Sequence, residues 1–282
     1  MILAFDVGNT ETVLGLFEEE DLLDHWRFAT NAERTADELG LLVRSLLRES
    51  GFDPNALRAA VIASVVPPLT PTLARMCERH LGAEVAIVDG KAPLPVHLDV
   101  EEPQTVGADR IANTLAAATR YQRDTIAVDF GTATTFDCIT SDGTFVGGVI
   151  SPGLHTSAEN LVRRTAKLPR VDLDRPMTVI GRRTETAIQA GVFFGAVDAI
   201  DGTVRRIKAE WDKPHAYVVA TGGLAPLIGP HCETVELIEP FLTLYGLQIA
   251  WTYIARARAA GAGTPSHPPG PPTGGFRRPR SI

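Results

Sequence analysis

The chain has 282 residues, 44% hydrophobic and 22% charged, enough to bury a full core in one large domain or two ordinary ones. Asp and Glu number 34 against 27 Lys and Arg, a net charge of -7, so no general pull toward nucleic acid or an anionic membrane is expected, and an anionic ligand needs a local site. The three cysteines, Cys77, Cys138 and Cys232, have neither CxxC nor CxxH spacing and imply no zinc site or disulfide framework, which fits a reducing cytoplasm.

Leu3 to Asp6 reads as a first strand with no basic leader before it, and no apolar run of transmembrane length is expected, so neither secretion nor membrane insertion is indicated. Val13 to Phe17 returns as the second arm of a hairpin, Glu18 to Asp21 makes an acidic turn, and His25 to Thr30 is a third strand. Thr35 and Glu38 form a capping-box start for a helix to about Glu49, with Leu39, Leu42, Val43, Leu46 and Leu47 at helical spacing. Ala59 to Val65 reads as a buried parallel strand, Thr70 to Leu81 as a helix with Pro71 in its first turn, and Glu84 to Val88 as a short strand. That order describes half of a two-domain α/β protein.

A proline-bearing connector, Lys91 to Gln104, leads to TVGADRIANTLAAATRY. Ile111, Ala112, Leu115, Ala116 and Thr119 have helical periodicity, so Gly107, Ala108, Asp109 and Arg110 fall at a helix N-terminus, where free amides favour an anion. Thr125 to Ile139 then repeats the chain's opening. LAFDVGNTETVLGLF and its counterpart align at an offset of 123 residues, Ala4 with Ala127, Asp6 with Asp129, Gly8 with Gly131 and Thr12 with Thr135. Each copy reads as a strand ending in Asp, a Gly turn and a returning strand. Such a mouth offers close backbone approach, hydroxyl donors and a carboxylate for the cation that accompanies a phosphate. Two copies suggest two similar halves facing each other across a cleft.

The remaining elements are a strand at Thr144 to Ile150, the SPGL turn into a helix through about Arg164, an exposed loop at Lys167 to Ile180, and a long helix from Glu185 to Lys208 with Thr184 at its start. Ala187, Ala190, Gly191, Gly195 and Ala199 on that helix permit close packing against a partner element. Tyr217 to Ala220 is a strand ending in TGGLA, whose paired glycines can approach a base or ribose. A strand at Thr234 to Ile238, a helix at Leu242 to Arg258 and a Gly/Pro-rich tail read as disordered, 259–282, complete the chain.

DVGNT at Asp6 to Thr10, VGADRIAN at Val106 to Asn113, VDFGTATT at Val128 to Thr135, GGVISPG at Gly147 to Gly153 and ATGGLA at Ala220 to Ala225 together resemble type III pantothenate kinase, within the acetate and sugar kinase, Hsc70 and actin superfamily. The resemblance covers about residues 1 to 257. It implies two ribonuclease H-like, actin-type ATPase domains, 1–118 and 119–258, with mixed sheets, flanking helices and a cleft between them. It also implies a cytoplasmic homodimer that phosphorylates pantothenate with ATP, the first step of coenzyme A synthesis, without nucleic acid or membrane partners. By similarity Asp6, Val7, Gly8, Asn9, Thr10, Glu11, Thr12, Val13 and Thr132 would bind ATP. Gly107, Ala108, Asp109, Arg110 and Thr184 would hold pantothenate, and Asp109 would be the general base. Asp129 would bind a monovalent cation, potassium or ammonium, and Asp6 would hold magnesium through water. The chain departs from the family pattern at Val100, where many members carry Tyr, at Glu102, and at Glu11, where Asn or His is common. Another small-molecule kinase of the superfamily, or a non-catalytic accessory transcriptional regulator, is the alternative reading.

Overall fold

A computed structural model of the chain describes residues 1–261. The first lobe is built on β1 (Ile2–Val7), β2 (Glu11–Glu18), β3 (Asp21–Ala29), β4 (Ala59–Ser64) and β5 (Glu84–Val88), in sheet order β3-β2-β1-β4-β5. The first three strands are antiparallel, and β1, β4 and β5 are parallel. Burial follows from position: β4, covered on both faces, reads AAVIAS and is buried along almost its whole length, while edge strand β3 reads DLLDHWRFA and alternates exposed and half-buried residues. Helix α1 (Ala36–Glu49) opens on the expected capping box between Thr35 and Glu38. Helix α2 covers only Thr70–Met76; Cys77–Leu81 continues as a π turn that ends at Gly82, left-handed at φ 62.

The second lobe repeats this plan. The connector contributes an unforeseen two-residue strand, β6 (His97–Leu98), and leads to α3 (Ala108–Tyr121), β7 (Thr125–Phe130), β8 (Ala133–Ile139), β9 (Thr144–Pro152), α4 (Leu154–Arg163), α5 (Thr184–Glu210), β10 (Tyr217–Thr221), α6 (Ala225–Ile228), β11 (Leu237–Ile238) and α7 (Leu242–Gly261). The sheet order β11-β10-β7-β8-β9-β6, read from β9, is that of the first sheet, with β6 added parallel to β9 at the edge. The four-position sequence repeat is thus a repeat of topology: Asp6 pairs across its hairpin with Val13, and Asp129 with Thr135. Strand β11 is shorter than expected at its start, where the Thr234 amide, like that of Glu233 before it, donates to the Asp201 carboxylate at 2.9 Å and not to β10.

One face of the first sheet packs on α1 and α2 through Leu3, Phe5, Val7, Leu14 and Leu16. The opposite face packs Ala4, Val61 and Ala63 on Ile111, Ala112 and Leu115 of α3 and Leu244, Leu247 and Ala250 of α7. Further along α3, Ala116 and Ala117 pack on Ala127, Ile139 and Phe145 of the second sheet. Helix α3 therefore spans residue 118, where the first domain is expected to end, and serves both sheets, while α7 returns from the C-terminus to complete the first. At their crossing Gly246 lies against Ala112 so closely that a side chain there would run into the Ala112 backbone.

Helix α5 covers the far face of the second sheet with Phe193, Val197, Ile200 and Val204. By length and composition it is the one described helix apolar enough to cross a membrane, contrary to the expectation of no such run. Asp201, buried within it and bonded to the Glu233 and Thr234 amides and the Thr234 hydroxyl, ties it into this lobe instead. The three cysteines are free and buried. Of the expected tail, 259–261 form the end of α7, and 262–282 lie outside the described residues.

Candidate active site

Each hairpin mouth is closed by a glycine amide, the second turn one residue tighter than the first. Gly8 N–H donates to the Glu11 carbonyl at 3.0 Å and Gly131 N–H to the Ala133 carbonyl at 3.1 Å. The mouths meet: Thr10 Oγ1 and Thr132 Oγ1 lie 3.1 Å apart, across the seam between the lobes. Residues Asn9, Thr10 and Glu11 are exposed at the tip of the first mouth. Val7, by contrast, is fully buried in the first core, and the Thr12 hydroxyl pairs with Thr30 Oγ1 at 2.9 Å, so only the backbone of these two is turned to a ligand. Val13 packs against the α3–α7 cluster, as does Ala108.

Asp6 from β1, Asp109 from the first turn of α3 and Asp129 from the end of β7 form one electrostatic group, each half-buried. Burial is the largest influence on all three and raises their pKa values. Asp6 is pushed well above the ordinary carboxylate range, with the Asp109 and Asp129 charges adding to the effect and Arg27 opposing it. Asp129 is raised to about 6 by burial and the Asp109 charge, against the pull of Asn113 and Arg27. Asp109 is raised by burial and held back by the Arg110 amide and guanidinium.

The supports of this group come from several elements. Gly107 precedes α3 with no side-chain cap, and a Cβ there would collide with Asp109 Oδ1, so glycine lets the carboxylate fold back over the helix start. Asp109 Oδ1 accepts the Arg110 N–H at 2.9 Å. Asn113 Nδ2 donates to Asp129 at 3.4 Å while its Oδ1 accepts the Thr243 hydroxyl at 2.9 Å, which links Asp129 to both α3 and α7. Gly222, in the TGG turn at φ +86, presses against Asp129 Oδ1 and the Phe130 backbone where a Cβ would not fit.

Arg110 is not a free cation at the helix start. Its Nε donates to the fully buried Asp137 at 2.6 Å, and the guanidinium lies over the Phe145 ring at 4.8 Å, leaving Nη2 without a protein partner. Thr184 stands elsewhere, at the start of α5, in the wall of a cavity of about 740 Å³ bounded by Thr134, Ser151, Leu154, Leu161, Ile188 and Gly191. Gly107 to Arg110 lie outside that wall. Val100 packs into the core beside α3.

Three contributors escaped the sequence reading. Asn113 lay in a recognised motif without an assigned role. Asp137 lies two residues beyond Thr135, the partner of Asp129 across the hairpin, so strand periodicity alone places it on the Asp129 face. Arg27 carries no motif signal; only the register of β3 reveals it. Among the described residues no cluster of three or more His, Cys, Asp or Glu side chains could hold a metal unaided.

A family model described as type III pantothenate kinase matches residues 2–206. Type III pantothenate kinases of Exiguobacterium sibiricum and Myxococcus xanthus are 44% and 45% identical over 251 residues, covering 89% of this chain and 98% of each relative. Among solved structures, a protein from Campylobacter jejuni described as a Baf family transcriptional activator aligns with a TM-score of 0.56 at 18% identity, covering 90% of this chain and 99% of that one. A Sinorhizobium meliloti protein described as a 2-dehydro-3-deoxygalactonokinase aligns with a TM-score of 0.53 at 14% identity, covering 91% and 96%; at such identities these likenesses concern the fold alone. By the family model and the extent of its close relatives, the chain belongs to the type III pantothenate kinase family.

Proposed function

We propose that the protein transfers the γ-phosphoryl group of ATP to the primary alcohol of pantothenate, giving 4′-phosphopantothenate at the entry to coenzyme A synthesis. The observation that carries this reading is the meeting of the two hairpin mouths at Thr10 and Thr132 beside the coupled carboxylates Asp6, Asp109 and Asp129. Phosphoryl transfer asks the protein mainly for alignment, charge dispersal and an acceptor for the alcohol proton. The Asp6–Val13 hairpin holds the nucleotide phosphates with its amides and the Thr10 hydroxyl, and Thr132 adds a donor from the other lobe. Asp109, whose pKa is raised toward the working range, accepts the proton of the pantothenate hydroxyl. Gly107, Ala108 and Arg110 shape the substrate side, with Arg110 braced on Asp137. Thr184 is kept as a substrate contact on the family resemblance, since it stands in the cavity beneath α5 and not beside Gly107 to Arg110.

The donor set fits hard cations: its carboxylate oxygens repel one another, and they are too few to coordinate a metal alone, so phosphate oxygens and water complete the shell. Asp6 would hold magnesium through water, and Asp129 potassium or ammonium; such cations would spread the charge on the transferred group. The lobes expected at residues 1–118 and 119–258 would close about the crossing of α3 and α7, helices that both lobes share. A homodimer would bury the exposed face of α5, where Gly191 and Gly195 have no neighbour a Cβ would meet; light scattering that gives a monomer mass at micromolar concentration overturns that part. A soluble cytoplasmic enzyme is the setting this reading assigns.

The deciding experiment is a coupled assay of ATP-dependent conversion of pantothenate to its 4′-phosphate, with and without potassium, with acetate and simple sugars as competing acceptors. Conversion of pantothenate alone supports the reading; conversion only of another acceptor, or of none, overturns it.

A further inference from the structure

Arg27 lies on β3, in a cross-strand row with Val13 of β2 and Asp6 of β1. Residues in register across neighbouring strands share a face, so Asp6 and Arg27 look the same way, roughly 10 Å apart by two strand spacings. A carboxylate and a guanidinium thus bracket the floor of the first mouth. The guanidinium also reaches the opposite lobe: a Cβ on Gly223 would stand 2.9 Å from Arg27 Nη1, so the second glycine of the TGG turn leaves room for it. Arg27 therefore stands between the first hairpin and the turn expected to carry the base or ribose.

Its bonding separates it from the other arginine near these carboxylates. Arg110 is 15% exposed and fixed to buried Asp137 at 2.6 Å, whereas Arg27 is 34% exposed and, among the described residues, bonds only Glu11 Oε2, at 3.4 Å, with Glu11 itself 58% exposed. A solvated pair at that distance contributes little and exchanges easily. A planar guanidinium with several donors suits phosphate oxygens better than one loosely held carboxylate oxygen.

We propose that Arg27 binds the phosphates of the nucleotide, and that Glu11 is the intramolecular anion they displace. The inference rests on the nucleotide-binding part of the proposed function and deepens it. Magnesium would sit at the Asp6 end of the row and Arg27 would take phosphate oxygens at the other end, on the side where the lobes meet. The position of Glu11 then has a consequence: the residue tunes nucleotide affinity downward by competing for Arg27.

The test is direct binding of ATP, ADP and adenosine, each with magnesium, by calorimetry to the full-length protein and its Arg27→Ala, Arg27→Lys and Glu11→Gln variants, with thermal melts as a check on folding. Arg27→Ala is expected to weaken ATP and ADP by roughly ten- to a hundredfold, the range of a charged hydrogen bond, while adenosine changes less than about twofold. Arg27→Lys falls between. Glu11→Gln, an exposed change that cannot unfold the hairpin, is expected to tighten ATP by roughly two- to fivefold. Equal losses for adenosine and ATP in Arg27→Ala, or an unchanged ATP affinity, overturn the inference, as does weaker ATP binding in Glu11→Gln. Because binding is read without turnover, a protein that binds ATP in this pattern but leaves pantothenate untouched overturns the kinase reading and leaves Arg27 in place. Normal pantothenate turnover with ATP binding indifferent to Arg27 does the reverse.

Discussion

Asp109 owes its chemistry to a conflict at one helix turn. Burial favours its protonated form, while the Arg110 amide at 2.9 Å and the Arg110 charge favour the carboxylate. Burial prevails, so Asp109 is a stronger base than a free aspartate, whose pKa is about 3.9. The acid limb of the rate profile is therefore expected to lie above that value. Asp109→Asn keeps the shape and removes the proton acceptor; kcat should fall by roughly 10²- to 10⁴-fold with ATP affinity little changed. Turnover close to wild type in that variant, measured alongside ATP binding, would place the base elsewhere. Asp129 has a different test: if it holds a potassium-sized cation, replacing potassium with sodium lowers kcat, and equal rates in both salts remove that role. At this scale Asp6, Asp109 and Asp129 were legible because each sits in a local motif whose turn chemistry points to phosphate. Arg27 was not, since its place depends on which strands pair and in what register; Asp137 was within reach by strand periodicity from Thr135.

The elements divide along the same line. The capping box at Thr35 and Glu38, the strand Glu84–Val88 and the start of α3 follow from neighbouring residues, and the structure bears them out. β6 could not be read, because two residues form a strand only through their pairing with β9, where His97 meets Thr144, 47 positions further on. β11 was over-read because its first expected residue, Thr234, gives its amide to Asp201, a contact between distant segments. The crossing of α3 and α7 is likewise invisible locally, yet it joins the lobes. Gly246→Ala would drive a methyl into the Ala112 backbone and should cost about 1–3 kcal/mol of stability. Gly202→Ala on α5, where a Cβ meets nothing within 4 Å, should instead stabilise by about 0.5–1 kcal/mol. Urea unfolding of both variants checks the contrast, and equal effects would mean the crossing has slack.

For the whole molecule, gathering carboxylates at the seam of two lobes makes stability depend on pH in an uncommon direction. Folding raises the pKa of Asp6, Asp109 and Asp129, the last from 3.8 to about 6. Between those limits the folded chain binds more protons than the unfolded one, so the free energy of unfolding decreases as pH rises through the window and the gain is complete only below the unfolded pKa. The groups with lowered values, Glu38, Asp142 and Asp201, act in the opposite sense, below the ordinary carboxylate range, whereas Asp137, raised to about 7 by burial, and Glu239, also raised by burial, add to the slope that the cleft carboxylates give. The nucleotide-free protein should therefore melt at a lower temperature at pH 7 than at pH 5. Asp129→Asn should flatten that slope, and so should magnesium with potassium, because a bound cation offsets the repulsion that protons otherwise relieve. Calorimetric melts across this range, with and without the cations, measure all three effects. A melting temperature that climbs with pH in the wild type would mean that Arg27 and Arg110 already neutralise the cluster, and the cleft would then have no electrostatic need of a cation.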